Sequence, residues 1–379
     1  MYDIIVVGGG LVGSSAALAL TKANPQLRIA LIESSQPNFD YEGFDNKIYA
    51  ISPKNLAELS KLTDALDYTR VGTIEQMIVA GDNNSVIKLN ARDGYESYLS
   101  KIVEYRNLQK ALLDEIHLCN KIDVIYTKLK NQLINSADSV TVYDENGTSL
   151  QSKWLIAADG ANSFIRNQCE IKVEHINYFQ HGVVANFQCE KPHQNIAYQW
   201  FLDSGILAFL PLPDNNISIV YSTDNYEQML NYSDVEFAEY IAKLSGYKLG
   251  KLITSTKAVA FPLRLNLVSK LFDNSVIFIG DAAHTIHPLA GQGVNLGFGD
   301  VWELVKLFKS STDIAATDLN KYAAVRMNEV RSMQITCHML NRLFSNQNNM
   351  VKFMRNFGLN LINNSKLVKK QLIRHAINY

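Results

Sequence analysis

The sequence predicts an α/β (α+β) fold: a doubly wound, mostly parallel core, an inserted and mostly antiparallel β-sheet, and C-terminal helices. Three observations carry that expectation. A βαβ pattern opens at residue 2, alternating aromatic-rich strands follow residue 175, and an apolar strand at 276–279 returns to the first pattern. A chain of 379 residues exceeds one small core, and at about 150 residues per domain it accommodates about two or three units.

Residues 2–7 are apolar and β-branched without alternation, as a strand buried on both faces requires. Residues 8–13 are glycine-rich, 14–22 continue as an Ala/Leu-rich helix ended at Asn24-Pro25, and 28–33 form a second strand. The resulting Gly8-x-Gly10-x-x-Gly13 spacing follows a strand and opens a helix, with Glu33 closing the next strand. This is the Rossmann-like dinucleotide fingerprint. Its glycines serve a tight turn, close backbone approach to a pyrophosphate and close helix–strand packing, and the acid suits ribose hydroxyls. The motif does not separate a flavin dinucleotide from a nicotinamide one. The apolar run 4–20 lacks a basic leader and is broken by glycines, so it reads as this βαβ unit and not as a signal peptide. No other run approaches the roughly twenty apolar residues of a membrane span.

Further along, 74–89 reads as short strands around the turn Gly81-Asp82-Asn83-Asn84, and 102–116 has helical period. Residues 124–143 suggest a meander closed by Asn146-Gly147, before a buried strand at 154–158. Residues 178–220 alternate and carry Phe187, Tyr198, Trp200, Phe201, Phe209 and Tyr221. Most of these are expected in core, with two or three reaching an apolar substrate. Ser233 with Glu236 predicts a capping box on the next helix, and 301–379 is helical in pattern. The expected nucleotide-binding domain is discontinuous (1–73, 97–175, 270–310). The inserted substrate domain spans 74–96 and 176–269, and 311–379 is a helical region.

Hydrophobic residues at 47 % and charged residues at 19 % exclude a disordered chain, and a net charge of −1 gives no pull toward nucleic acid. The balance is uneven. After Glu329 there is no acid, whereas Arg331, Arg342, Lys352, Arg355, Lys366, Lys369, Lys370 and Arg374 are all cationic. Cys119, Cys169, Cys189 and Cys337 show no paired or metal-like spacing and read as free thiols of a reducing cytoplasmic compartment.

Three further segments carry candidate chemistry. In 157–166 the Asp159-Gly160 turn follows a strand, and Ser163 and Arg166 lie where they can fix a loop near the pyrophosphate. Arg106 and Gln109 place a cation and an amide on an earlier helix, where an ordinary solvated face is the competing reading. The richest segment is 280–295, GDAAHTIHPLAGQGVN. Asp281 can accept from a sugar-like hydroxyl chain. The amides of Gly291, Gln292 and Gly293, with Val294 and Asn295 following, open a helix toward negative charge. That layout points to a flavin. His284 alone reads more readily as a packing histidine than as a base.

GGGLVG with Glu33, ADGANSFIR, and GDAAHTIHPLAGQGVNLG, taken in order, resemble the single-component flavoprotein aromatic hydroxylases, the 4-hydroxybenzoate hydroxylase group. Within it, HPLAGQGVNLGF and the tail near Arg355 are most similar to the ubiquinone-biosynthesis hydroxylases. The resemblance implies FAD reduced by NAD(P)H as co-substrate, activation of O2, and insertion of one oxygen atom into the ring of a prenylated phenol. It implies that His287, Pro288 and Leu289 line the substrate side of the flavin, and that Gln292 and its neighbouring amides stabilise the reduced ring. One departure stands out: Lys47 occupies the place of a usual arginine, keeping charge but not planar bidentate contact. With a prenylated substrate, the basic, amphipathic 350–377 segment suggests peripheral attachment to the inner face of a membrane, or to other proteins of ubiquinone biosynthesis; packing on the chain's own body is the competing reading. Two alternatives share the fold or the cofactor: a flavin-dependent prenyl reductase, and a non-catalytic flavin- or lipid-binding assembly component. A halogenase is disfavoured, because none of Trp154, Trp200 and Trp302 lies in a WxWxIP segment.

Overall fold

Ile4, Ile5 and Val6 are fully buried because their strand, Tyr2–Val7, lies deep inside an eight-stranded sheet. In the computed structural model the sheet runs Phe272–Asp273, Val276–Phe278, Ser149–Ala157, Tyr2–Val7, Ile29–Glu33, Ile122–Tyr126. The five strands from Val276–Phe278 to Ile122–Tyr126 are parallel, so the apolar runs without alternation find cover on both faces. The described residues are 1–379 without 41, 82–84, 287–292, 347, 349, 353, 354, 357, 359–362, 364, 378 and 379.

The expected meander differs. Ile122–Tyr126 is the parallel edge strand beside Ile29–Glu33, while Leu129–Asn135 and Val140–Asp144 form a hairpin added to the start of Ser149–Ala157. A second difference falls at 102: Ser100–Glu104 is a strand pairing with Ile48–Ile51 and Gly72–Ile74, and the helix spans Tyr105–Leu118. The apolar pair Ile102-Val103 carries no periodicity of its own, and only the pairing decides its state.

Helix Leu11–Ala23 packs against both Tyr105–Leu118 and Gly293–Phe308. Its approach to the sheet is possible only through Gly13, where a Cβ would stand 1.9 Å from the Gly8 carbonyl oxygen. Its approach to Gly293–Phe308 uses Gly297, where a Cβ would meet Val12 at 2.7 Å.

A nine-stranded sheet lies beside the first and is antiparallel except where Gln76–Ala80 runs parallel to Ile196–Leu202. One face packs on the helices Tyr226–Leu230 and Asp234–Leu244, and it takes most of the aromatic stripe: Phe187, Tyr198, Trp200, Phe209 and Tyr221. Ser233 and Glu236 form the expected capping box. Phe201 points the other way and stacks on Phe344 of the long helix Ala316–Ser345. The opposite face is small and polar at its centre, with Val184, Asn186, Gln199, Ala208, Ser218 and Ser222.

The segment 276–285 joins the two sheets. It begins as Val276–Phe278 in the first and ends as His284–Thr285 in the second, paired with Val259–Val268. The C-terminal helix Lys366–Ile377 buries Ile373 and Ile377 against Ile74, Ala91 and Leu99 of the same chain. Arg355 is buried too, donating to the carbonyls of Leu343, Phe344 and Asn346 at the end of the long helix. Among the described residues no helix is long and apolar enough to cross a membrane.

Candidate active site: a cleft at the start of the first helix

The glycine loop builds the floor. Gly8 adopts φ +105°, and a Cβ there would press on the Ala158 carbonyl at 2.4 Å, so the turn requires glycine. Glu33 Oε2 accepts the Gly9 N–H at 2.7 Å, and buried Gln109 donates Nε2 to the Gly9 carbonyl at 3.0 Å. Both predicted ligands therefore shape the loop, Gln109 from the inner side of its helix. Gly10 then precedes Leu11–Ala23, whose N-terminus has no side-chain cap and no acid in its first turn. Uncapped N–H groups aimed at an open space are a ready anion site.

The second predicted segment braces the floor. Asp159 accepts from Ser163 Oγ at 2.5 Å and from the Ile165 N–H at 3.0 Å. Arg166 fixes the loop by donating to two carbonyls, Ala282 at 2.9 Å and Ala161 at 2.8 Å. It thus ties the 157–166 turn to the 280–285 segment, through backbone oxygens that sequence does not show.

One wall is aromatic and cationic. The Lys47 ammonium lies 3.8 Å from the centroid of the Tyr105 ring, whose hydroxyl stands 3.6 Å from where a Gly10 Cβ would be. Tyr49 tilts against Tyr105 at 6.5 Å, and Arg106 reaches Asp45 at 3.7 Å. Asp281 faces the same space. It and Lys47 are open to solvent on one side, yet each is crowded by protein on the others. Desolvation is the dominant influence on both: it lowers the Lys47 ammonium and raises the Asp281 carboxyl, and each partly offsets the other's shift. Burial likewise pushes the Tyr105 phenol up to about 12. Accessible but poorly solvated groups of opposite charge mark a deep cleft and not a convex surface.

The strap carrying Lys47 is held from both sheets. Buried Glu104 accepts the Asp45 N–H at 2.6 Å and pairs with Arg70 at 2.7 Å. From the second sheet, fully buried Asn186 donates Nδ2 to the carbonyls of Asp45 at 3.0 Å and Phe44 at 3.3 Å. The small, polar face of that sheet is therefore turned toward the strap.

Beneath Asp281 lies a buried network that the sequence did not announce. Asp300 accepts from the Gly280 N–H at 2.8 Å, from His284 Nε2 at 2.8 Å and from Arg326 Nε at 2.7 Å. Burial raises the Asp300 carboxyl, but His284 and Arg326 outweigh it and hold it below the ordinary value. His284 is a support for the 280–285 turn. Asn295 is also internal: its side chain accepts from Ser52 N and Asn55 Nδ2 at 3.0 Å and donates to Ala50 O at 2.8 Å. Its backbone carbonyl also accepts from Asn55 Nδ2, at 3.3 Å. Gly293 and Val294 begin the helix Gly293–Phe308, as expected. The predicted His287, Pro288, Leu289, Gly291 and Gln292 lie outside the described residues.

The residues present fit a flavin dinucleotide. An uncapped helix N-terminus suits a pyrophosphate, the Tyr105 hydroxyl stands beside Gly10 at 3.6 Å from where a Cβ would be, and a desolvated carboxylate and ammonium face the same space. Comparison with known proteins agrees. A family model described as FAD binding domain matches residues 100–333. The chain is 30 % identical over 387 residues to the 3-demethoxyubiquinol 3-hydroxylase of Escherichia coli (strain K12), across 99 % of this chain and 98 % of that protein. It is 29 % identical to the mitochondrial ubiquinone biosynthesis monooxygenase COQ6 of Danio rerio, across 99 % and 90 %. The solved p-nitrophenol 4-monooxygenase PnpA of Pseudomonas putida DLL-E4 shares the fold with a TM-score of 0.81, at 17 % identity, over 100 % of this chain and 98 % of that one. The chain belongs to the FAD binding domain family, among its flavin-dependent aromatic hydroxylases.

Proposed function

We propose that the protein hydroxylates the aromatic ring of a prenylated phenol in ubiquinone biosynthesis, using FAD, NAD(P)H and O2. The observation that carries the reading is the convergence of Lys47, Tyr105 and Asp281 on the uncapped start of Leu11–Ala23. Full-length similarity to a protein named 3-demethoxyubiquinol 3-hydroxylase supplies the substrate class.

When bound, FAD supplies the electron transfer and oxygen activation that side chains lack. The chain's residues do the rest. The first amides of Leu11–Ala23 hold the pyrophosphate, Glu33 meets the ribose while fixing the Gly9 amide, and Asp281 accepts from the polyol hydroxyls. Lys47 and Arg106 balance the anionic charge from the strap side. Pro288, His287 and Gln292 remain our candidates for the reacting side of the ring. The polar face bearing Asn186 and Gln199 lies on the side of the strap, where an aromatic head group would meet it. Residues 1–73, 97–175 and 270–310 form the cofactor domain in this reading. The apolar tail of the substrate places the working site at the cytoplasmic surface of a membrane.

Purified protein with FAD, NADPH, labelled dioxygen and a short-tailed prenylphenol tests the proposal by mass spectrometry. One labelled oxygen atom on the ring is the expected product. Flavin that binds while the phenol stays unchanged, with or without oxygen, would move the reading to a reductase or an assembly component.

A further inference from the structure

The face of the nine-stranded sheet that bears Asn186 is organised in cross-strand rows. Register fixes one of them: Val259 lies opposite Val184, Val184 opposite Val220, and Val220 opposite Ala208, with Gln199 and Val79 beyond. Side chains in such a row share one face and stand about 5 Å apart. This row is small and, apart from Gln199, apolar. It is also partly open: Val259 is 49 % exposed, and Val184, Val220 and Ala208 are half-buried. The flanking rows are mostly closed. On one side Phe261 folds over Gly182, where a Cβ would meet its ring at 2.7 Å, and Ser222, Ile206 and Phe201 follow, all three buried. On the other side Asn186 and Ser218 are buried, while Leu210 and Met77 join the apolar cluster of the C-terminal helix. A strip of small, accessible groups between larger, packed ones is a trough.

The trough has a direction. Its Val259 end lies at the strap, where Asn46 donates Nδ2 to the Lys257 carbonyl at 3.0 Å and Asn186 holds the carbonyls of Phe44 and Asp45. His284–Thr285, which follows Asp281, borders the same strand, Val259–Val268. From this cofactor side the row crosses strand after strand, and Val79 lies about 19 Å from Val184 at the usual strand spacing. The three rows carry no charged side chain. A nicotinamide dinucleotide would find no cation there for its phosphates. A narrow, uncharged strip of valine and alanine suits a linear hydrocarbon chain.

We propose that this row seats the isoprenoid tail of the substrate, with the ring at Val259 and Val184 beside the strap and the chain lying over Val220 and Ala208. The inference deepens the proposed function and rests on that reading for the prenylated phenol. Ala208 is then a specificity-determining residue. It is the smallest side chain of the row, and its size decides whether a chain can continue toward Gln199 and Val79.

The test titrates the FAD-loaded full chain, by calorimetry, with phenols bearing no, one or three isoprene units. Wild type should gain about tenfold or more in affinity from no tail to three units, as buried apolar surface grows. Ala208→Phe fills the row and Ala208→Asp places a charge in it. Each should bring the ratio of tailed to tailless affinity close to one. A second measurement needs no variant: a diazirine at the end of the three-unit tail should, on irradiation, label Gly205–Pro211, Ile196–Leu202 or Gln76–Ala80. No gain in affinity with tail length, an unchanged ratio in both variants, or label confined to segments outside this sheet would each overturn the proposal. Tail-dependent binding and labelling without ring hydroxylation would remove the enzyme reading and leave the trough. Hydroxylation of the tailless phenol with no gain from a tail would remove the trough and leave the enzyme.

Discussion

The Lys47 ammonium sits 3.8 Å from the centre of the Tyr105 ring, and the hydroxyl of that ring faces Gly10 at the helix start. Tyr105 thus spans the cleft from the anion site to the cation. A flexible lysine is given a fixed position by an aromatic platform. Removing the platform should loosen FAD. Tyr105→Leu is expected to weaken FAD binding between about two- and thirtyfold, the range of a cation–π contact. Lys47→Ala should cost about tenfold or more, as loss of a charged hydrogen-bonding group does. Lys47→Arg should hold or tighten the cofactor. Quenching of flavin fluorescence on titration measures all three, and equal affinity in Tyr105→Leu and wild type would refute the platform.

Asp281 gives a stability test with a definite sign. Its pKa is raised in the folded protein, chiefly by desolvation, so between the ordinary carboxylate range and the raised value the folded state binds more protons than the unfolded one. Stability of the cofactor-free protein then falls as pH rises through that window. Asp281→Asn removes the penalty: the variant should melt higher than wild type at neutral pH, with the gap closing toward about pH 4. The same substitution should weaken FAD, because a charged acceptor for the polyol is lost. Paired melting curves across pH and an FAD titration report the two effects separately.

The fold was legible where local rules decide. Glycine spacing, the capping box at Ser233 and Glu236, and the unbroken apolar strands each follow from a few adjacent residues. Legibility failed where pairing over distance decides. Ile102-Val103 became strand only through Ile48–Ile51 and Gly72–Ile74, and Arg166 found the Ala282 carbonyl more than a hundred residues away. At the site, Glu33 and Asp281 were readable as acids at strand ends. Tyr49, Tyr105 and Asn186 were not, since an aromatic or amide in a mixed segment carries no marker of its later partner. The aromatic stripe lies mostly in core, as expected, but alternation only fixes two faces, and the helix pair at 226–244 decides which face is covered.

Asp300 is the buried carboxylate on which three donors converge, and its lowered pKa reverses the sign found for Asp281. Its ionised form stabilises the fold above the ordinary carboxylate range, and that contribution is lost as pH falls toward its folded value. Asp300→Ala leaves Arg326 buried without its main partner, which should cost about 3–5 kcal/mol. Replacing all three by apolar residues (His284→Leu, Asp300→Leu, Arg326→Met) should recover much of that loss. Urea denaturation of the single and triple variants decides. A triple variant no more stable than Asp300→Ala would show that the network is needed for more than charge balance.

Asn186 belongs to the second sheet, yet its amide holds the two carbonyls that precede Lys47. A change on that sheet should therefore be felt by the cofactor. Asn186→Asp turns donors into an anion facing those carbonyls and should displace the strap; Asn186→Leu removes the donors without adding charge. Both should weaken FAD, by about fivefold or more for Asp and less for Leu, in line with one or two lost hydrogen bonds. The effect should shrink when Lys47 is already alanine, because the strap then has no ammonium to place. A double-mutant cycle on FAD affinity measures that coupling. Additive losses would mean that Asn186 serves only the packing of its own sheet.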